Sequence, residues 1–162
     1  MVINTKKILV YIDGTEQSIT AAQYAICLAT VLRADLIALY IVNTRAMEDL
    51  LKASIFLKDE QVEYEHDMES DAERYINHVD GLAVAKGVSI IKKSRRGSVH
   101  TEILNTVKEE NVDLLVIGEL SRIRSRRDEF YDETERAMRG VSCSVLIVKD
   151  EDKVRQMYES LV

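Results

Sequence analysis

Ile8-Leu9-Val10-Tyr11-Ile12 is an unbroken apolar run that stops abruptly at Asp13-Gly14-Thr15, and a long amphipathic stretch, residues 16–32, follows it. A run without polar alternation carries apolar groups on both faces. That is the condition of a strand covered by helices above and below in a parallel sheet. Leu36-Ile37-Ala38-Leu39-Tyr40-Ile41-Val42, Leu114-Leu115-Val116-Ile117 and Val145-Leu146-Ile147-Val148 repeat the pattern. Helix-forming sequence separates them, so the chain is predicted to be α/β: an open, doubly wound sheet of five parallel strands with right-handed crossovers and helices on both faces.

Strands are predicted over residues 7–12, 35–42, 88–92, 113–118 and 144–148. Ile19, Ala22, Ile26, Ala29 and Leu32 recur near the 3.6-residue period and give the first helix its buried stripe. Residues 45–57 are predicted helical with a break near Lys58, and a longer helix over 59–86 carries Met68, Ala72, Tyr75, Val79 and Leu82 on one face. Gly87 is placed to end it. Arg95-Arg96-Gly97-Ser98 reads as a turn, with Ser98 capping a helix that bears Val99, Ile103, Leu104 and Val107. A polar segment, 119–130, leads to a helix over 132–139. After the fifth strand, Asp150-Glu151-Asp152 starts a helix with apolar residues Val154, Met157, Tyr158 and Leu161. A helix this short must dock on something, either its own domain or a dimer partner.

At 162 residues the chain suits one domain with a sizeable core. No apolar run reaches the roughly 18 residues of a membrane span, and no signal peptide is expected ahead of the first strand. The net charge of −6 argues against general nucleic-acid binding. Cys27 and Cys143 have neither metal nor disulfide-framework spacing and are read as reduced thiols of a cytoplasmic protein. His66, His78 and His100 show no metal spacing, and proline is absent. No nucleophile elbow and no complete phosphate loop ending in Lys-Ser/Thr occurs, so no catalytic machinery is predicted.

Taken in order, the Ile8–Thr15 strand and turn, the Asp35-Leu36-Ile37-Ala38-Leu39 strand, the Gly97-Ser98 turn, Asn111-Val112-Asp113-Leu114-Leu115-Val116-Ile117-Gly118, and the passage from Arg139 to Val148 resemble the universal stress protein superfamily over nearly the whole chain. The resemblance implies a sheet ordered 3-2-1-4-5 of the adenine nucleotide alpha hydrolase-like type. It assigns residues 1–149 to that domain, leaving 150–162 as the C-terminal helix. It further implies a homodimer through the last strand, 144–148, acting in stress response or regulation with a protein partner still to be named.

Many members of that superfamily bind ATP, and the resemblance implies a nucleotide site at Asp13, Gly14, Thr15, Val42, Gly118, Ser121 and Asp132, to which Arg122 and Arg124 are added from their place after Gly118. Asp13 matches the acidic residue after the first strand, at the sheet edge where ligands bind in open α/β folds. It could equally cap the following turn. Of the three glycines of the usual phosphate segment only Gly118 is matched; Ser121 takes the second place and Tyr131-Asp132 falls on the third. Glycines there let the backbone approach a phosphate and free the helix amides to bind it. Asp132 is predicted to cap the helix instead, occupying those amides and adding a negative charge. ATP binding is therefore expected to be weakened or lost. The alternative is adenine-nucleotide sensing through Asp13, Gly118 and the arginine run.

That run, Arg122, Arg124, Arg126 and Arg127, is either an anion-binding lid or a solvated loop. A second basic cluster, Lys92-Lys93-Ser94-Arg95-Arg96, is expected to follow the third strand onto the same edge. Arg95-Arg96-Gly97-Ser98 also has the form of a basic-directed phosphorylation site, although a helix cap is sufficient employment for Ser98. The acidic run from Asp59 to Glu73 is read as a solvated helix face.

Overall fold

The computed structural model describes residues 4–53, 58–120 and 129–162. The elements alternate as predicted: β1 (Lys7–Ile12), α1 (Glu16–Leu32), β2 (Asp35–Asn43), α2 (Thr44–Lys52), α3 (Lys58–Val84), β3 (Ile90–Gly97), α4 (Val99–Glu109), β4 (Leu114–Gly118), α5 (Glu129–Gly140), β5 (Ser144–Val148) and α6 (Glu151–Ser160). The sheet order is β3-β2-β1-β4-β5, and every pairing is parallel.

The apolar runs are unalternated because both faces of the sheet are covered. Ile8, Val10, Ile12, Leu36, Ala38 and Val116 point to one side and pack with α1, with Val79 and Ala83 of α3, and with Val154 of α6. Leu9, Tyr11, Ile37, Leu39, Leu115 and Ile117 point to the other side, against Val99, Ile103 and Val107 of α4 and Ala137 of α5. α1 meets the sheet through small residues, Ala21, Ala22, Ala25 and Ala29, all buried, which lets its axis lie close to the central strands. Asp113 Oδ2 accepts from Lys6 N at 2.8 Å and Lys7 N at 3.0 Å, tying the start of β4 to the start of β1.

Several expectations are corrected. The third strand does not stop at Lys92: β3 pairs with β2 from Leu36↔Ile90 to Asn43↔Gly97. Arg95-Arg96-Gly97 is therefore strand, and Ser98 alone remains as the cap, accepting from Thr101 N. The basic cluster lies within that strand rather than beyond it. Strand alternation sends Lys92 and Arg96 to the α3 side, where they pair with Asp80 and with Glu65 and Glu69. Lys93 and Arg95 go to the α4 side, to Glu110 and to Glu102 and Glu109. Glu65 and Glu69 of the acidic face of α3 thus pair with Arg96 while staying partly open to solvent. An edge strand with so many charges was hidden from an argument based on apolar runs; its partners are supplied by tertiary structure. Finally, α5 begins at Glu129, so Asp132 lies inside its first turn rather than at the N-cap. Nothing between Glu129 and Asp132 breaks a helix, and acidic residues suit a first turn.

The C-terminal helix packs on its own chain. Val154 is buried with α1 in the core, Tyr158 Oη donates to Leu82 O at 2.6 Å, and Lys86 Nζ donates to Leu161 O at 2.8 Å beside the Tyr158 ring.

Candidate functional site

In this topology the chain reverses direction of winding between β1 and β4, leaving a crevice at the carboxyl ends of those strands. A cavity of about 460 Å³ opens there. Tyr11 and Asp13 reach it from β1 and the turn after it, Tyr40, Ile41 and Asn43 from β2, and Ile117, Gly118, Glu119 and Leu120 from β4 and beyond. Thr15, Gln17 and Ser18 of the α1 start, Met68 of α3, Val99 of α4 and Thr134 of α5 complete the wall.

The turn between β1 and α1 is locked by side chains. Asp13 Oδ1 accepts from Thr15 N at 2.9 Å and from Thr15 Oγ1 at 2.6 Å. Thr15 is the N-cap of α1 and accepts in turn from Ser18 N at 3.2 Å, while Ser18 Oγ donates to Thr15 O. Gly14 stands at φ +84°, with the Tyr75 ring where a Cβ would be. Asp13 thus serves the turn and lines the cavity with an exposed side chain. Gly118 makes the other close approach: a Cβ there would lie 2.5 Å from Gln17 O, so only glycine lets β4 finish beside the first turn of α1.

Two phenols mark the floor. Burial holds the Tyr11 hydroxyl well above its ordinary range, and the charge of Asp13, the Tyr40 hydroxyl and the charge of Glu133 add to the effect. Tyr40 is pushed up to about 12, first by burial and then by Asp71, Tyr75 and Asp13. Its ring stacks on Tyr75 with centroids 6.0 Å apart. Both phenols are therefore neutral donors at physiological pH. Among the described lining residues there is no lysine or arginine, while Asp13 and Glu119 are carboxylates.

Residues 4–149 match the family described as Universal stress protein family. The chain belongs to that family. A curated member, Universal stress protein MJ0531 of Methanocaldococcus jannaschii, is 26% identical over 148 residues, covering 91% of this chain and 84% of its own length. Among solved structures, the universal stress protein UspA of Lactobacillus plantarum is similar with a TM-score of 0.70 at 18% identity, covering 91% of this chain and 99% of that one. A universal stress protein family protein of Arabidopsis thaliana, solved with AMP bound, is similar at a TM-score of 0.64 and 13% identity, over 91% and 94% of the two chains.

Within this universal stress protein the structure brings Asp13, Thr15 and Gly118 to one cavity. Gly14 sits in the same turn against Tyr75, and Val42 is buried between Ile41 and Asn43, which line the cavity in its stead. Ser121, Arg122 and Arg124, with the rest of the arginine run, lie outside the described residues; Asp132 is placed by its backbone alone, within α5. Sequence reasoning missed Tyr11, Tyr40, Asn43, Met68, Glu119 and Thr134. The phenols did leave a signal, being hydroxyl-bearing residues in otherwise aliphatic central strands near their carboxyl ends. Among the described residues no group of His, Cys, Asp and Glu is placed to hold a metal ion, and no helix is long and apolar enough to cross a membrane.

Proposed function

We propose that this universal stress protein is a cytoplasmic, homodimeric regulatory module that acts by binding rather than catalysis. Its cavity takes an adenine nucleotide with few phosphates, and ATP binding is weakened. The size of the cavity suits such a ligand. Ile41, Met68, Val99, Ile117 and the Tyr40 ring offer surfaces for a planar base, and Asp13 is an acceptor for sugar hydroxyls. The observation that carries the reading is the pair of carboxylates, Asp13 and Glu119, among the described lining residues. A triphosphate brings about four negative charges to that wall, and like charges at close range are repulsive. That a similar Arabidopsis protein was solved with AMP bound supports an adenine nucleotide as the ligand class.

The dimer is proposed through β5. It pairs with β4 along one flank, and Ile147 stands 37% exposed on it.

Calorimetric titration of the purified chain with AMP and with ATP tests the binding. AMP is expected to bind at least tenfold more tightly. A second reading, in which Arg122, Arg124, Arg126 and Arg127 grip a polyphosphate, draws on the position of that run directly after the cavity residues Gly118, Glu119 and Leu120. It is favoured instead if ATP binds more tightly than AMP and the four-arginine-to-alanine variant loses that preference.

A further inference from the structure

Glu133 is the one charged residue buried among the described residues, at 8% exposure. It stands in α5 next to Thr134, which lines the cavity. Glu133 Oε2 accepts from Val99 N at 3.2 Å, the first amide of α4, and the Val99 side chain lines the cavity too. Glu133 Oε1 accepts from Arg45 Nη1 at 3.2 Å; Arg45 follows Thr44, the first residue of α2, just beyond the cavity residue Asn43. One carboxylate therefore links three helices that follow strands at the same edge of the sheet, α2, α4 and α5.

The chemistry of that link is that of a bound anion. A helix N-terminus carries partial positive charge and unpaired amides, which is the usual seat of a ligand phosphate. A guanidinium is the side chain best matched to the same group. Here both are turned to an anion that belongs to the chain. The carboxylate also acts on the cavity at a distance, since its charge reaches the Tyr11 hydroxyl on the floor.

We propose that Glu133 sets the charge limit of the cavity. It holds the α4 amide and Arg45 in place of a ligand phosphate, so neither is left to offset the charge of ligands with several phosphates. It acts on specificity without serving as the ligand's own partner. The inference rests on the adenine-nucleotide reading of the cavity.

The test is calorimetric titration of adenosine, AMP and ATP against the full chain and Glu133→Gln. Glutamine keeps an acceptor for the Val99 amide and removes the charge. Glu133→Met, similar in volume, is the second uncharged variant, and circular dichroism establishes that each is folded. Adenosine affinity is expected to stay within about twofold and ATP affinity to rise about tenfold, the size of one interaction between unit charges in a partly screened site. An ATP-to-adenosine affinity ratio that is the same in wild type and both variants overturns the inference while leaving the nucleotide reading intact, provided AMP binds. Failure of wild type to bind either adenosine or AMP overturns that reading, and the inference with it.

Discussion

Gly118 and Gln17 meet backbone to backbone: a Cβ on Gly118 would lie 2.5 Å from the Gln17 carbonyl oxygen and 2.6 Å from its carbon. That contact fixes how closely the end of β4 approaches the start of α1, and both residues line the cavity. The surviving glycine of the family's phosphate segment is thus required by packing, whatever the ligand.

Gly118→Ala is expected to destabilise the fold by about 2–4 kcal/mol, because the obstacle is backbone and cannot rotate aside. Gly81→Ala is the control. That glycine is inside α3 with nothing within 4 Å of its missing Cβ, so alanine there should stabilise by about 0.5–1 kcal/mol. Urea midpoints at constant m-value measure both.

The ladder on β3 predicts a salt-dependent edge. Arg95 is 22% exposed and faces both Glu102 and Glu109, whereas Arg139 is 74% exposed beside Glu135 one helical turn away. Arg95→Gln should lower the melting temperature measurably at low ionic strength, and less in 0.5 M salt by screening at roughly that concentration. Arg139→Gln should do nothing measurable. Equal effects for the two variants would contradict the ladder.

Asp113 gives a pH dependence. The backbone N–H groups of Lys6 and Lys7 hold its carboxyl below the usual range. A depressed carboxyl stabilises the fold above its unfolded value, about 3.9, and that contribution is lost as pH falls through the lower folded value. Asp113→Asn should therefore be less stable than wild type at pH 7, with the two unfolding curves converging as the medium becomes strongly acidic.

The phenols titrate in the opposite sense. Tyr40 ionises at about 12 in the fold, above the ordinary phenol value near 10. Its contribution is complete below that unfolded value and is lost as pH rises through the folded one. Ultraviolet titration should show a late phenolate step, smaller in Tyr40→Phe. Among the described tyrosines the residue most resistant to ionisation should be Tyr11.

The docking of α6 can be weighed residue by residue. Val154→Ala opens a space in the core and should cost about 1–3 kcal/mol. Tyr158→Phe leaves Leu82 O without its 2.6 Å donor and should cost about 1 kcal/mol. Deleting residues 151–162 should lower the melting point while leaving the mass by light scattering that of the same oligomer. A truncated chain that becomes monomeric would assign the helix to the partner instead.

Most of the sheet was legible because its information is local. Ile8 to Ile12 and Leu114 to Ile117 are apolar on both sides, as a covered parallel strand requires. β3 was half legible, since Lys92, Lys93, Arg95 and Arg96 pair with β2 as strand residues while carboxylates distant in sequence meet their charges. Of the residues lining the cavity, Asp13 was singled out from its position after a strand and Gly118 from the family resemblance. Glu133 was not: along the chain nothing separates it from Glu135, and its deeper burial distinguishes it only in the fold.

The place of β1 in the middle of the sheet has a consequence for biosynthesis. β2 emerges from the ribosome one helix after β1, but β4, its other neighbour, emerges only after α2, α3, β3 and α4. Throughout that interval one flank of Ile8, Leu9 and Val10 is bare, awaiting Leu114, Leu115 and Val116. The newborn chain thus carries an open, oily template for the wrong neighbour until late in translation, and crowded polysomes are where its losses to aggregation will concentrate.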